Sequence, residues 1–143
     1  MEHKYNVMLI DDDEDDRMLF AMALQMADDR LTCITIDNCL EALGLLKSGE
    51  APDILFLDLN MPSMHGFDCL GLIKQSPLPQ LQHIPVVIYS TSGYTVDIEK
   101  ARELGACGYL KKQSDLEQLS LKLKKFTDHV ASGDSGFLCE TEW

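Results

Sequence analysis

The chain has 143 residues, 45% of them hydrophobic, and 24 acidic against 12 basic side chains give a formal net charge of -12. That length is one domain, with a core large enough to bury roughly two thirds of the unfolded surface. The acid excess argues against polyanions, whose binding needs clustered Lys and Arg, so neither nucleic acid nor an anionic membrane is an expected partner.

No apolar run approaches the roughly 18 residues of a membrane span, and the start Met1-Glu-His-Lys-Tyr5 is no signal peptide, so a cytoplasmic location is expected. Five cysteines (33, 39, 69, 107 and 139) are odd in number and contain no Cys-x-x-Cys. They read as reduced packing residues rather than a disulfide framework or a zinc site.

In chain order, the apolar strand-like run Val7 to Ile10 ends in Asp11 and Asp12. Asp13 is a candidate N-cap for a helix to Ala27, where Leu19, Phe20, Ala23, Leu24 and Ala27 form one stripe while Met18, Met22 and Met26 form a ridge on another face. Thr32 to Ile36 reads as a strand and Cys39 to Lys47 as a helix ended by Ser48-Gly49. Ile54 to Leu57 is a strand that delivers Asp58 to a turn at Met61-Pro62. Phe67 to Gln75 is a helix closed by Pro77 and Pro79, Ile84 to Tyr89 a strand leading to Ser90, and Val96 to Leu104 a helix stopped by Gly105. Gly108 to Leu110 is a short strand ending in Lys111 and Lys112. A capping box, Ser114-Asp-Leu-Glu117, opens a last helix on Leu116, Leu119, Leu123, Phe126 and Val130. Residues 131 to 143, rich in Gly, Ser and acid, are expected to form a mobile acidic tail beyond a domain of residues 1 to 130.

Five strand-helix repeats mean right-handed βαβ crossovers: a doubly wound α/β fold with a five-stranded parallel sheet and helices on both faces. Ligands in such folds sit beyond the carboxyl ends of the strands, at the switch in strand order. The polar residues that follow the apolar runs gather at that edge. Asp58 stands out among them, because an unpaired carboxylate at the end of a buried strand costs several kcal/mol. Something must neutralise it, and the polar ends of the other runs, Asp11 and Asp12, Ser90, and Lys111 and Lys112, supply the candidates.

Four ordered motifs, Leu9-Ile-Asp-Asp-Asp13, Asp58-Leu-Asn-Met-Pro62 with Gly66, Pro85-Val-Val-Ile-Tyr-Ser90 and Gly105-Ala-Cys-Gly-Tyr-Leu-Lys-Lys112, make residues 5 to 127 resemble the receiver domain of two-component response regulators, of the stand-alone type. The resemblance implies a flavodoxin-like strand order 2-1-3-4-5. It implies that Asp58 accepts a phosphoryl group from a histidine kinase or a histidine phosphotransfer protein. Mg²⁺ would be held by Asp12 directly, Asp11 through water, Asp58, and the backbone carbonyl of Asn60. Ser90 and Lys112 would contact the phosphoryl oxygens, and Tyr109 would turn inward as Ser90 is drawn to the phosphoryl group. With only a short tail after the domain, the output is expected to lie in another protein, the chain itself being a monomer or weak homodimer.

The residue types suit that chemistry. A phosphoryl group in flight carries charge on three equatorial oxygens, so its site needs a hard cation and fixed donors more than acid-base machinery. Mg²⁺ prefers oxygen ligands, commonly one or two carboxylates with waters. A phosphohydrolase with an aspartyl nucleophile would want a second aspartate two positions on, where Asn60 stands. A degenerate receiver serving only as a binding module would not need Asp11, Asp12, Asp58, Ser90 and Lys112 all intact. Gln113 stands where receivers usually carry a proline, typically after a cis bond, so the lysine loop is either strained or takes a trans path. Ser90 replaces the commoner threonine, and Thr91 stands where a smaller residue is more usual, narrowing the approach to Asp58. Gln113 and Ser90-Thr-Ser92 are similar to the single-domain receivers that serve phytochrome-type kinases.

Overall fold

The computed structural model describes residues 4–134 and 136–141. Six parallel strands, β1 (Tyr5–Ile10), β2 (Leu31–Ile36), β3 (Ile54–Leu57), β4 (Val86–Ser90), β5 (Gly108–Lys111) and β6 (Leu138–Glu140), form one sheet in the order β2-β1-β3-β4-β5-β6. The helices are α1 (Glu14–Ala27), α2 (Cys39–Lys47), α3 (Gly66–Lys74), the single turn α4 (Pro79–Gln82), α5 (Thr95–Glu103) and α6 (Leu116–Ala131).

Alternation along each strand makes two cores. Val7, Leu9, Phe56, Val87, Tyr89 and Leu110 point to the face covered by α1 and α6, while Met8, Ile10, Leu55, Leu57, Ile88 and Tyr109 point to the face covered by α2, α3 and α5. On the first face Phe20 of α1 meets Phe56 and Tyr89 edge-on, with ring centroids 5.1 and 5.4 Å apart. The helical stripes read from the sequence are the ones buried: Phe20, Ala23 and Leu24 on α1, and Leu119, Leu123 and Phe126 on α6. Asp13 caps α1 as expected, accepting a hydrogen bond from the Asp16 N–H. At α6 the capping residue is Asp115 rather than Ser114, its carboxylate accepting from the Glu117 and Gln118 N–H groups.

Two expectations are corrected. The sheet has a sixth strand, drawn from the stretch expected to be a mobile tail. After α6, Gly133 at φ 81° reverses the chain, and Leu138–Glu140 pairs parallel with β5, Leu138 opposite Gly108 and Glu140 opposite Leu110. Arg102 stacks over the Phe137 ring at 4.7 Å, and Glu140 pairs with Lys125. The edge of β5 is thereby covered for three residues. Second, the cysteines are not all reduced: Cys39 at the start of α2 and Cys69 in α3 form a disulfide between neighbouring helices, 30 residues apart in sequence. Cys33, Cys107 and Cys139 are free thiols.

Candidate functional site

Strand order reverses between β1 and β3, and the ends of these two strands carry the acidic cluster. Asp11 follows β1 and is fully buried; Asp58 follows β3 and is 3% exposed; Asp12 is exposed at the rim. Their carboxylate oxygens lie within 4.8 Å of one another. The backbone fixes them. The Asp58 N–H donates to the Ile10 carbonyl at 2.9 Å, the Asp13 N–H donates to Asp11 Oδ1 at 3.0 Å, and the Arg17 guanidinium donates to the Asp11 carbonyl at 2.9 Å.

Gly66 sets the turn below Asp58. A Cβ there would stand 2.3 Å from the Asp58 carbonyl oxygen and 2.7 Å from Leu59 Cα, so the start of α3 approaches the acceptor loop as only glycine allows. The Gly66 N–H donates to the Leu59 carbonyl at 2.8 Å.

Lys112 reaches this cluster from the end of β5. Its Nζ lies 2.9 Å from Asp11 Oδ2, 2.8 Å from Asp16 Oδ2 and 3.5 Å from Asp58 Oδ1. It also sits 5.4 Å from the centroid of the Tyr89 ring. Burial opposes the lysine's charge, but the hydrogen bond to Asp16 and the attraction of the Asp11 and Asp58 carboxylates outweigh it and hold its pKa above the usual range. Asp58 shifts the other way from an ordinary ion-paired acid: burial pushes its carboxyl up to about 6, with Lys112 opposing and Asp11 adding to the rise. One ammonium divided among three carboxylates cannot neutralise them all. Asp11 is likewise raised by burial, and its buried Oδ2, though in ion-pair contact with Lys112, is aligned with no hydrogen-bond donor.

Ser90 ends β4, fully buried, and its Oγ accepts from the Ser92 N–H at 3.1 Å. Its carbonyl accepts from the Lys112 N–H at 2.7 Å, tying the two site residues through the sheet. The Tyr109 ring is fully buried, and its hydroxyl donates to the Ser92 carbonyl at 2.8 Å. The ring is therefore already inside, where the sequence reading had it turn inward only on phosphorylation. Asn60 and Thr91 line the open cleft of about 510 Å³ over Asp58, together with Asp12, Asp16 and Lys112. Thr91 thus stands at the mouth as expected. The Lys112–Gln113 peptide bond is trans. Asp16, which the sequence analysis does not single out among the acids at the start of α1, joins the site through Lys112. Met18, Met22 and Met26 are 58%, 50% and 54% exposed, so the ridge they form on α1 is open to solvent.

The donor set suits a hard cation. The carboxylates of Asp11, Asp12 and Asp58 converge, oxygen donors of the kind Mg²⁺ prefers, and a buried Asp11 oxygen lacks a hydrogen-bond donor.

A parallel doubly wound sheet with an acidic cluster and a lysine at its switch point defines a class, and comparison with known proteins gives the family. The model of the response regulator receiver domain matches residues 7–124, and the chain belongs to that family. It is 35% identical over 107 residues to two-component response regulator ORR8 of Oryza sativa subsp. indica, spanning 75% of this chain and 85% of that protein. Among solved structures it is similar to the phosphorylated cyanobacterial phytochrome response regulator RcpA, with 30% identity, a TM-score of 0.78, and coverage of 92% of this chain and 96% of that one. It is also similar to the Mn(2+)-bound form of response regulator Rcp1, with 30% identity, a TM-score of 0.71, and 87% and 92% coverage.

Proposed function

We propose that this receiver accepts a phosphoryl group on Asp58 from a histidine kinase or histidine phosphotransfer protein, with Mg²⁺ as the cofactor, in the cytoplasm. The observation that carries this reading is the Asp58 carboxylate itself: buried, raised in pKa, open to a cleft, and holding only the longest of the three contacts that Lys112 makes. In the transfer an Asp58 carboxylate oxygen attacks phosphorus while the bond from phosphorus to the donor imidazole nitrogen breaks, the nitrogen keeping the electron pair. Asp11, Asp12, Asp58 and the Asn60 carbonyl would hold the cation, which when bound supplies positive charge against the phosphoryl oxygens. Lys112 moves from its carboxylate partners to a phosphoryl oxygen, and the Ser90 hydroxyl turns from the Ser92 N–H to donate to another.

The Ser92 carbonyl that holds Tyr109 belongs to the residue whose N–H holds Ser90, so movement of Ser90 would reach the aromatic ring directly. Tyr109 and Ser90 together are the switch, and the signal passes to a partner protein by a shift between two packings.

Intact mass after incubation with a small phosphodonor tests the assignment. The wild-type chain should gain one phosphoryl group with Mg²⁺ and none with a chelator. A hydroxylamine-sensitive phosphoryl group gained by Asp58→Asn at the wild-type rate would falsify the acceptor assignment.

A further inference from the structure

Asp16 is used by nothing so far. It lies in the first turn of α1, where helical side chains lean toward the N-terminus. That end of α1 faces the strand-end cleft, whose wall Glu14, Asp15 and Asp16 all line, and Asp16 is the least exposed of the three. Its Oδ2 accepts a hydrogen bond from Lys112 Nζ at 2.8 Å, a distance shorter by 0.7 Å than the one from that nitrogen to Asp58 (3.5 Å). The Asp16 side chain is 35% exposed and the Lys112 side chain 10%, so the contact is only partly screened by water.

We propose that Asp16 is a positioning residue that retains the Lys112 ammonium on the α1 side of the cleft and so weakens the hold of the site on a phosphoryl group. The inference rests on the phosphoacceptor reading above. Of the three carboxylates around Lys112, Asp58 is the one that reacts and Asp11 is a cation ligand, so both are engaged when the site is loaded. Asp16 has neither duty. It stays available as an anion that competes with a phosphoryl oxygen for the same ammonium, and its own charge opposes a dianionic group nearby. Lys112 is thereby a shared ligand, which favours a phosphorylated state that is readily undone.

The test is the affinity for beryllofluoride, a phosphoryl mimic, in the presence of Mg²⁺, measured for wild type, Asp16→Asn, Lys112→Ala and the double variant. Asp16→Asn is nearly isosteric, and Asp16→Ala serves as a second variant with the same expectation. The proposal expects at least threefold tighter binding when Asp16 is neutralised in the Lys112 background and no gain in the Lys112→Ala background. Unchanged or weaker binding in Asp16→Asn, or an equal gain in both backgrounds, would overturn it. A second readout needs no loaded site: the Lys112 Nζ resonance of the metal-free protein should shift, with faster proton exchange, in Asp16→Asn. If the wild type binds no beryllofluoride, the phosphoacceptor reading fails by itself. The Nζ resonance then decides the positioning role, an unchanged signal overturning it and a shifted one supporting it.

Discussion

Neutralising Asp58 should stabilise the metal-free protein, although it removes the reactive group. Burial moves this carboxyl from its ordinary 3.8 to about 6, so at neutral pH folding forces a charge into a place that disfavours it. The difference of roughly two in pKa is worth about 3 kcal/mol at 1.36 kcal/mol each. Asp58 shares its protons with the neighbouring Asp11 and an asparagine amide must find partners there, so a net gain of about 1–3 kcal/mol is the working expectation for Asp58→Asn at pH 7. For a chain of this size that raises Tm by roughly 3–9 °C. The sign follows from linkage. Between pH 4 and 6 the folded state binds more protons than the unfolded state, so wild-type stability falls as pH rises through that window and is flat, for this group, above it. The advantage of Asp58→Asn should therefore be full at pH 7 and mostly gone by pH 4. Urea unfolding of both proteins in a chelator, at several pH values, measures it. An Asp58→Asn protein less stable than wild type at pH 7, or a difference that does not change between pH 4 and 7, would refute the claim that burial of the charge dominates at this site.

Mg²⁺ titration followed by NMR should give weaker binding for Asp12→Ala than for Asp11→Ala, each lost carboxylate costing about tenfold or more; equal affinity in wild type and Asp12→Ala would contradict its role as a direct ligand. Gly66→Ala should lower stability by about 2 kcal/mol and slow phosphorylation by small donors, since a methyl group would collide with the Asp58 and Leu59 backbone; a neutral result on urea unfolding would show that the turn yields freely. Replacing the half-exposed Met18 and Met22 with lysine (Met18→Lys with Met22→Lys) should slow transfer from the cognate phosphohistidine protein about tenfold, or 1.4 kcal/mol of transition-state binding. Phosphorylation by a small donor should be unaffected, and unchanged protein-mediated transfer would rule out a docking strip on α1.

Much of the fold was legible because two periodicities act at once. The strands carry apolar residues on both faces and so read as continuous runs, while α1 and α6 repeat their core residues at helical spacing. The strand ends place Asp11, Asp12, Asp58, Ser90 and Lys112 at one edge. What was not legible depends on encounters that spacing alone does not encode. The three-residue strand β6 lies in a stretch of Gly, Ser and acid, and it exists because Gly133 turns the chain back onto an open β5 edge. Cys39 and Cys69 share no local motif; they meet because α2 and α3 pack side by side on one face of the sheet. Asp16 looks like its neighbours Glu14 and Asp15 in the sequence, and only the approach of Lys112 Nζ from the end of β5, 2.8 Å from its Oδ2, sets it apart.

The lysine loop shows how a departure from a sequence pattern can leave a site intact. Gln113 raised doubt about the placement of Lys112, because a proline after a cis bond would ordinarily fix that loop. Here the bond is trans, and the position of Lys112 is set one residue earlier, by the sheet. Lys111 ends β5 opposite Ser90, and the next N–H, that of Lys112, continues the ladder onto the Ser90 carbonyl at 2.7 Å. Gln113 then folds back, buried, donating from Nε2 to the Lys111 carbonyl at 3.1 Å and closing the turn with its side chain. The backbone is anchored in a strand while the long stem leaves the ammonium free to choose among anions. A lysine held in this way can trade one carboxylate for another, or for a phosphoryl oxygen, without moving the chain that carries it. The same register ties Lys112 to Ser90, whose Oγ and Tyr109 are both held by Ser92. Rearrangement of charge over Asp58 is thus mechanically connected, within a few hydrogen bonds, to the aromatic ring beneath the β5 surface.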